Sequence, residues 1–183
     1  MGLVYHTSDW HLGHKNISRF RGQDGFQGEQ DSSWTQINNY KGIIRKNDLV
    51  WFHGDIIFDP NYLEVVKDLP GIKKLLLGNH DTEKKFKVSL SDLIEVFDEV
   101  HSLVKYKGTW LSHAPVHQDE LRGCVNIHGH THYHVIDDQR YINVCSEQTN
   151  YAPIRRDILL EKNEFFQEFL RQREEKKRVR NGK

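Results

Sequence analysis

The sequence predicts an α/β fold built on two β-sheets, and three observations carry that reading. Up to residue 77, short apolar runs alternate with helical patterns in βαβαβ order, which argues for a mainly parallel sheet. Beyond residue 102 the apolar runs follow one another without intervening helices, which argues for a second, more antiparallel sheet. Five runs end in an abrupt turn that at once presents His or Asp: Asp9 with His11, Gly54-Asp55, Gly78-Asn79-His80-Asp81, His113, and Gly129-His130-Thr131-His132. Side chains at the ends of neighbouring strands converge on one sheet edge, where open α/β folds place their sites.

Taken in order, residues 3–8 read as a first strand. The segment from Gly13 to Gln30, with four glycines, reads as a mobile loop beside the site. Ser32 and Ser33 are candidate caps of a helix running to about Arg45, with Trp34, Ile37, Tyr40, Ile43 and Ile44 at helical spacing. Leu49–Phe52 is the second strand, Asn61–Leu69 a short helix stopped by Pro70-Gly71, and Ile72–Leu77 the third strand. Ser91 is a candidate cap for helix through Val96. Strands are expected at 102–106, 109–112 and 124–127, and a hairpin at 134–136 with 141–144 joined through Asp137-Asp138. From Arg156 the pattern is helical. The last thirteen residues hold seven Lys or Arg against Glu174 and Glu175, read as a solvated helix end, with a weak nucleic-acid or protein anchor as the sharper alternative.

At 183 residues the chain suits one domain, 1–183, with a charged helical tail over 156–183. A formal net charge of zero offers no global field to steer nucleic acid or membrane. No targeting signal or membrane-spanning run is legible, and Cys124 and Cys145 form neither a disulfide framework nor a paired metal motif, so a cytoplasmic protein with reduced thiols is expected. Histidine is the outlier, with 12 copies.

Asp9, His11, Asp55, Asn79, His113, His130 and His132 form a mixed oxygen and imidazole donor set, better suited to Mn²⁺, Fe or Zn²⁺ than to Ca²⁺ or Mg²⁺. That is more than one transition metal takes. Two ions sharing Asp55 would use them all, and such a pair clamps an in-line attack at phosphorus while supplying hydroxide at neutral pH. His80 is then the donor of a proton to the leaving oxygen. Asp81, next in sequence, is the candidate to hold that ring or keep it charged.

These elements, in this order over residues 4 to about 146, resemble the signature of the calcineurin-like metallophosphoesterase superfamily, especially its small bacterial and phage members through Thr7–His14 and Asn16-Ile17. The resemblance implies a four-layer αββα sandwich of two mixed sheets flanked by helices. It implies that Asp9, His11, Asp55 and His132 hold one ion and Asp55, Asn79, His113 and His130 the other, with Mn²⁺ expected and Fe, Zn²⁺ or Ni²⁺ as alternatives. His80 assists at the leaving group. The chain has no room for the additional domain of the large DNA-repair nucleases of the superfamily. The expected activity is hydrolysis of a small or nucleotide phosphodiester, cyclic nucleotides included. A phosphomonoesterase or nucleotidase is the nearest alternative, and a non-catalytic protein-binding scaffold the more distant one. His14, Asn16, Arg19 and Arg21 are candidate phosphate contacts, since Arg forks match phosphate oxygens. His53 and His128 read as packing residues beside the motifs, and the four tryptophans as core.

Overall fold

In the computed structural model, which describes residues 2–161 and 163–181, the chain opens with strand β1 (Val4–Thr7), helix α1 (Ile17–Phe20), helix α2 (Glu29–Ile43) and strand β2 (Leu49–Phe52). Helix α3 (Leu63–Lys67), β3 (Ile72–Leu76), α4 (Leu90–Val96) and β4 (Glu99–His101) follow. The second half holds β5 (Leu103–Tyr106), β6 (Thr109–Ser112), α5 (Gln118–Leu121), β7 (Val125–His128), β8 (Tyr141–Asn143) and β9 (Ile154–Arg155), then α6 (Arg156–Glu161) and α7 (Glu164–Asn181).

The strands form a five-stranded sheet, β4-β3-β2-β1-β9, and a four-stranded sheet, β5-β6-β7-β8. In the first, β1 to β4 are parallel and β9 runs antiparallel to β1. β2 shows how the layers arise. Its pleat sends Val50 and Phe52 into a core shared with Ile37 and Tyr40 of α2 and Leu93 of α4, and Leu49 and Trp51 into the space between the sheets, beside Leu111 and Ile127. A third cluster, Val125 with Leu160 and Phe166, seals the second sheet under α6 and α7. Two mixed sheets flanked by helices are therefore present, in the layered order expected.

Local expectations needed correction. The segment 13–30 is not an open loop: α1 forms within it, Ile17 is buried, and the start of α2 occupies Glu29 and Gln30. Ser32 and Ser33 lie inside α2, one accepting from Arg21 and the other bonded to Glu29, so neither is a cap. Trp34 and Ile43 face solvent, while Trp10 and Trp51 are core. Ser89, not Ser91, caps α4, in a reciprocal capping box with Asp92. The predicted 134–136 hairpin strand is absent, and β8 instead pairs in parallel with β7, as β7 does with β6. Among the described residues of the second sheet only β5–β6 is antiparallel, so that sheet is less antiparallel than its short connections imply. The charged tail expected over 156–183 includes Lys162, Gly182 and Lys183, which lie outside the described residues; α7 reaches Asn181.

A candidate two-metal centre

The candidate ligands lie on turns that leave the strand ends of both sheets. Asp9, His11, Asp55, His130 and His132 all have φ between 47° and 69°, making half of the ten non-glycine residues with left-handed backbone among those described. Such conformations are disfavoured by roughly 1–3 kcal/mol each and collect at functional sites. The glycines beside them leave no room for a side chain. A Cβ on Gly54 would stand 2.6 Å from His113 Nδ1, one on Gly78 would meet the Asp55 carboxylate, and one on Gly129 would meet Ser8 Oγ and Asp9 Oδ2. The sheets meet at this edge, where Ser8 bridges Cys145 and Ser146 N–H donates to Ser8 O at 3.1 Å.

Two triads of donors converge, Asp9 with His11 and His132, and Asp55 with His113 and His130, each with its ligand atoms within 4.8 Å of one another. In the first, Asp9 Oδ2 accepts from Ser8 Oγ at 2.5 Å, His130 N–H at 2.9 Å and Cys145 Sγ at 3.2 Å. Asp9 Oδ1 is buried with no hydrogen-bond partner among the described residues, and so are both His11 ring nitrogens. His11 Nε2 and His132 Nε2 each stand 3.7 Å from Asp9 Oδ1, too long for a hydrogen bond. Donors bound to one ion at about 2.0–2.2 Å are themselves roughly 3–4 Å apart, so this spacing fits a shared cation. Burial alone would raise the Asp9 carboxyl, but His11, followed by His113 and His132, outweighs it and holds the group well below the usual carboxylate range.

In the second triad, His113 Nδ1 donates to His53 O at 2.7 Å, which leaves Nε2 as the lone-pair atom of the neutral ring. That atom faces Asn79 Oδ1 at 2.9 Å, His130 Nδ1 at 3.1 Å and Asp55 Oδ2 at 3.3 Å. Acceptors gathered this closely need a proton or a cation among them. Burial opposes charge on His113, yet the Asp55 and Asp9 carboxylates push it up to about 9. The orphaned Asp9 oxygen, the facing acceptors and the donor chemistry all fit divalent ions.

His80 stands beside both triads, its backbone N–H on Asp55 Oδ1 at 2.9 Å. The expected partner of its ring is not the one found. Asp81 is buried and accepts from the backbone N–H groups of Gly78, Asp55 and Ile56 at 2.7, 3.0 and 3.1 Å, locking the two turns together. Burial, with the Asp55 charge, pushes its carboxyl up to about 6. Glu83 holds the ring instead, with Oε1 2.5 Å from His80 Nδ1.

Arg21 is likewise withdrawn from substrate. It is fully buried, with Nε on Glu147 Oε1 at 2.7 Å and Nη1 on Trp10 O at 3.2 Å, while Nη2 donates to Asp9 O. Glu147 Oε1 in turn accepts from His132 Nδ1 at 3.0 Å, which turns His132 Nε2 toward Asp9. Glu147 and Cys145 are therefore site residues that sequence reasoning missed, lying far along the chain in no recognisable spacing. His53 and His128 are buried as expected, and the His53 carbonyl orients His113. His14 lines a cavity together with His11, His80 and His132; Asn16 lines an adjoining cleft; Arg19 is exposed on α1.

The family model for calcineurin-like phosphoesterases matches residues 2–180, and the chain belongs to that family. An uncharacterized protein of Methanocaldococcus jannaschii is 29% identical over 175 residues, covering 87% of this chain and 90% of its own. The gene 66 protein of Mycobacterium phage L5 is 29% identical over 164 residues, covering 72% of this chain and 78% of its own. A crystallised protein of unknown function from Aquifex aeolicus superposes with a TM-score of 0.67 at 27% identity, over 85% of this chain and 96% of that one. No helix among the described residues is long and apolar enough to cross a membrane.

Proposed function

We propose that the protein hydrolyses phosphodiesters at this edge, with Asp9, His11, Asp55 and His132 holding one divalent ion and Asp55, Asn79, His113 and His130 the other. The observation that carries the reading is the pair of donor triads with His80 beside them. Bound there, two divalent ions supply Lewis acidity, acidifying the attacking water and offsetting charge on the phosphoryl oxygens. Mn²⁺ is the ion of choice for this mixture of imidazole, carboxylate and amide donors. The water oxygen forms the new bond to phosphorus as the bond to the leaving oxygen breaks. With its Nδ1–H held by Glu83, His80 has Nε2 left to pass a proton to that leaving oxygen.

A diester is favoured over a monoester because, among the described residues, no Lys or Arg lines the cavity bordered by His11, His80 and His132. A monoester dianion brings a second charge that the two ions alone would have to meet, whereas a diester monoanion asks less of them.

The test is hydrolysis of bis-p-nitrophenyl phosphate by metal-stripped protein, with and without Mn²⁺, beside His80→Ala. Metal-dependent turnover that falls by about 10²–10⁴ in the variant supports the reading. Turnover on the mono-ester alone, or none with both sites loaded, overturns it.

A further inference from the structure

A cleft of about 550 Å³ adjoins the cavity at the triads, and His14 lines both. The two differ in charge. Among the described residues, no Lys or Arg lines the cavity at the triads, whereas Lys15, Lys85 and Lys87 line the cleft against the single carboxylate of Asp59. That carboxylate is already engaged, with Oδ1 accepting from Asn61 N–H at 3.0 Å. The lysines that form ion pairs among the described residues are Lys67, Lys74 and Lys85, so Lys15 and Lys87 stand uncompensated. Gathering like charges on one wall costs self-repulsion, which an anion placed among them removes.

The walls of the cleft are fixed in advance. Phe58 N–H and Asp59 N–H both donate to Leu12 O, at 2.8 and 3.1 Å, and a Cβ on Gly13 would stand 2.2 Å from Asp59 Cβ, so two chain segments form one floor. Phe86 packs against Phe58 with ring centroids 4.3 Å apart, and Lys85 Nζ lies over the Phe86 ring at 4.7 Å. Lys87 follows with φ of 56°, a left-handed backbone that is disfavoured for residues with a Cβ and that usually falls to Gly or Asn at the end of a helical turn. The backbone preference is overridden to place an ammonium group on this wall. Asn16 adds a neutral donor, since it opens α1 without capping it and its side-chain amide is left for the cleft. The reacting edge is close by: Phe58 stacks on His11 at 4.4 Å, and Phe86 stands edge-on to His80 at 6.1 Å.

We infer that the cleft binds a second compact anionic group, of the phosphate kind, carried on one arm of the ester whose scissile phosphate lies at the triads. The inference rests on the phosphodiesterase reading for the position of the scissile phosphate; the affinity of the cleft for an anion does not. Ammonium groups act as point charges that meet phosphate oxygens from several directions, and among the described residues no arginine fork lines the cleft to select a planar carboxylate. The two anions are thus met by different means, the scissile phosphate by the ions and its companion by the lysines.

Two measurements test this. Metal-stripped protein is titrated with inorganic phosphate at low ionic strength and followed by amide NMR, which locates the binding. Signals of residues 13–16 and 85–87 should shift together, and sodium chloride at matched ionic strength should not reproduce the shifts. The double variant Lys15→Gln/Lys87→Gln should bind phosphate about tenfold more weakly. With Mn²⁺ loaded, propyl p-nitrophenyl phosphate is then compared with its 3-phosphopropyl counterpart. The charged arm should raise kcat/KM by roughly tenfold, and the double variant should lose that advantage while hydrolysing the propyl ester within about twofold of wild type. Shifts confined to other residues, or an advantage undiminished in the double variant, overturn the inference. Phosphate binding without any preference for the charged arm marks an adventitious ion only and overturns it as well. Phosphate bound in the cleft while neither diester is hydrolysed with both ions loaded refutes the phosphodiesterase reading and leaves the anion site standing.

Discussion

Removing the charge of Glu147 should unfold more than it disarms. The Arg21–Glu147 pair is 2.7 Å long, and its side chains are 0% and 1% exposed, so solvent screens neither charge. Breaking a buried pair at one partner typically destabilises by about 3–5 kcal/mol, because the other charge stays buried and uncompensated. Glu147→Gln should therefore lower the unfolding free energy by about that amount, or Tm by roughly 6–20 °C for a chain of this size. Arg21→Met should show a comparable loss, since Glu147 is left buried without its cation and Asp9 O loses its short donor, while Trp10 O keeps Gln36 at 2.9 Å. Together the two changes remove both charges, so the double variant should lose less than the sum of the singles, with a coupling of about 2–3 kcal/mol. Urea unfolding of chelated protein measures this without a contribution from bound metal. Strictly additive losses, or a Glu147→Gln effect below about 1 kcal/mol, would refute the claim that this ion pair holds the Asp9 turn.

The same logic extends to the remaining groups. Glu83→Gln should lower kcat on bis-p-nitrophenyl phosphate by about tenfold while leaving the number of bound Mn²⁺ ions unchanged, since Glu83 touches His80 and none of the ligands; an unaltered kcat would remove it from the account. Gly129→Ala should weaken Mn²⁺ binding at the first triad and destabilise the fold by about 1–3 kcal/mol, because its Cβ collides with Ser8 and Asp9; normal Mn²⁺ affinity in a calorimetric titration would contradict this. His6 and His53 are buried and hydrogen-bonded in series, His6 Nδ1 to His53 Nε2 at 2.8 Å and His53 Nδ1 to Ser112 O at 2.9 Å. Burial holds His53 down to about 3 and His6 well below its ordinary value, so the unfolded chain binds more protons than the folded one as pH falls below about 6.5. The pair should thus cost about 2–3 kcal/mol of stability on acidification from pH 7.5 to 5.5; because groups held high, such as His113, shift the other way, the check is the difference in acid loss between wild type and a His6→Gln/His53→Gln double variant, and an equal loss in both would contradict the neutral pair.

How legible the site was depends on how each group is held. Asp9, Asp55 and the Gly129–His132 turn are readable because an apolar run, a forced left-handed turn and a candidate ligand side chain are adjacent in sequence. Asp81 is the converse case: adjacency to His80 says nothing about direction, and its carboxylate turns back to three backbone N–H groups. Glu83 reaches the ring only because the chain folds tightly after Asp81, with Glu83 N–H on His80 O at 3.1 Å. Arg21 looked like a phosphate ligand because it lies in a glycine-rich basic stretch, yet its partner Glu147 is 126 positions away and beyond any local pattern. The layered α/β plan was legible from strand spacing. The parallel pairing of β6, β7 and β8 was not, since short connections without long helices ordinarily imply antiparallel neighbours.

The most direct test of the central claim is the count of Mn²⁺ ions bound per chain by metal-stripped protein and by two single-ligand variants, His132→Ala and His113→Ala. Two ions in the wild type and one in each variant, with phosphodiester hydrolysis lost in both, is the result expected of two adjacent triads acting as one centre. A single ion in the wild type, or full hydrolysis by a variant that binds one, would contradict it.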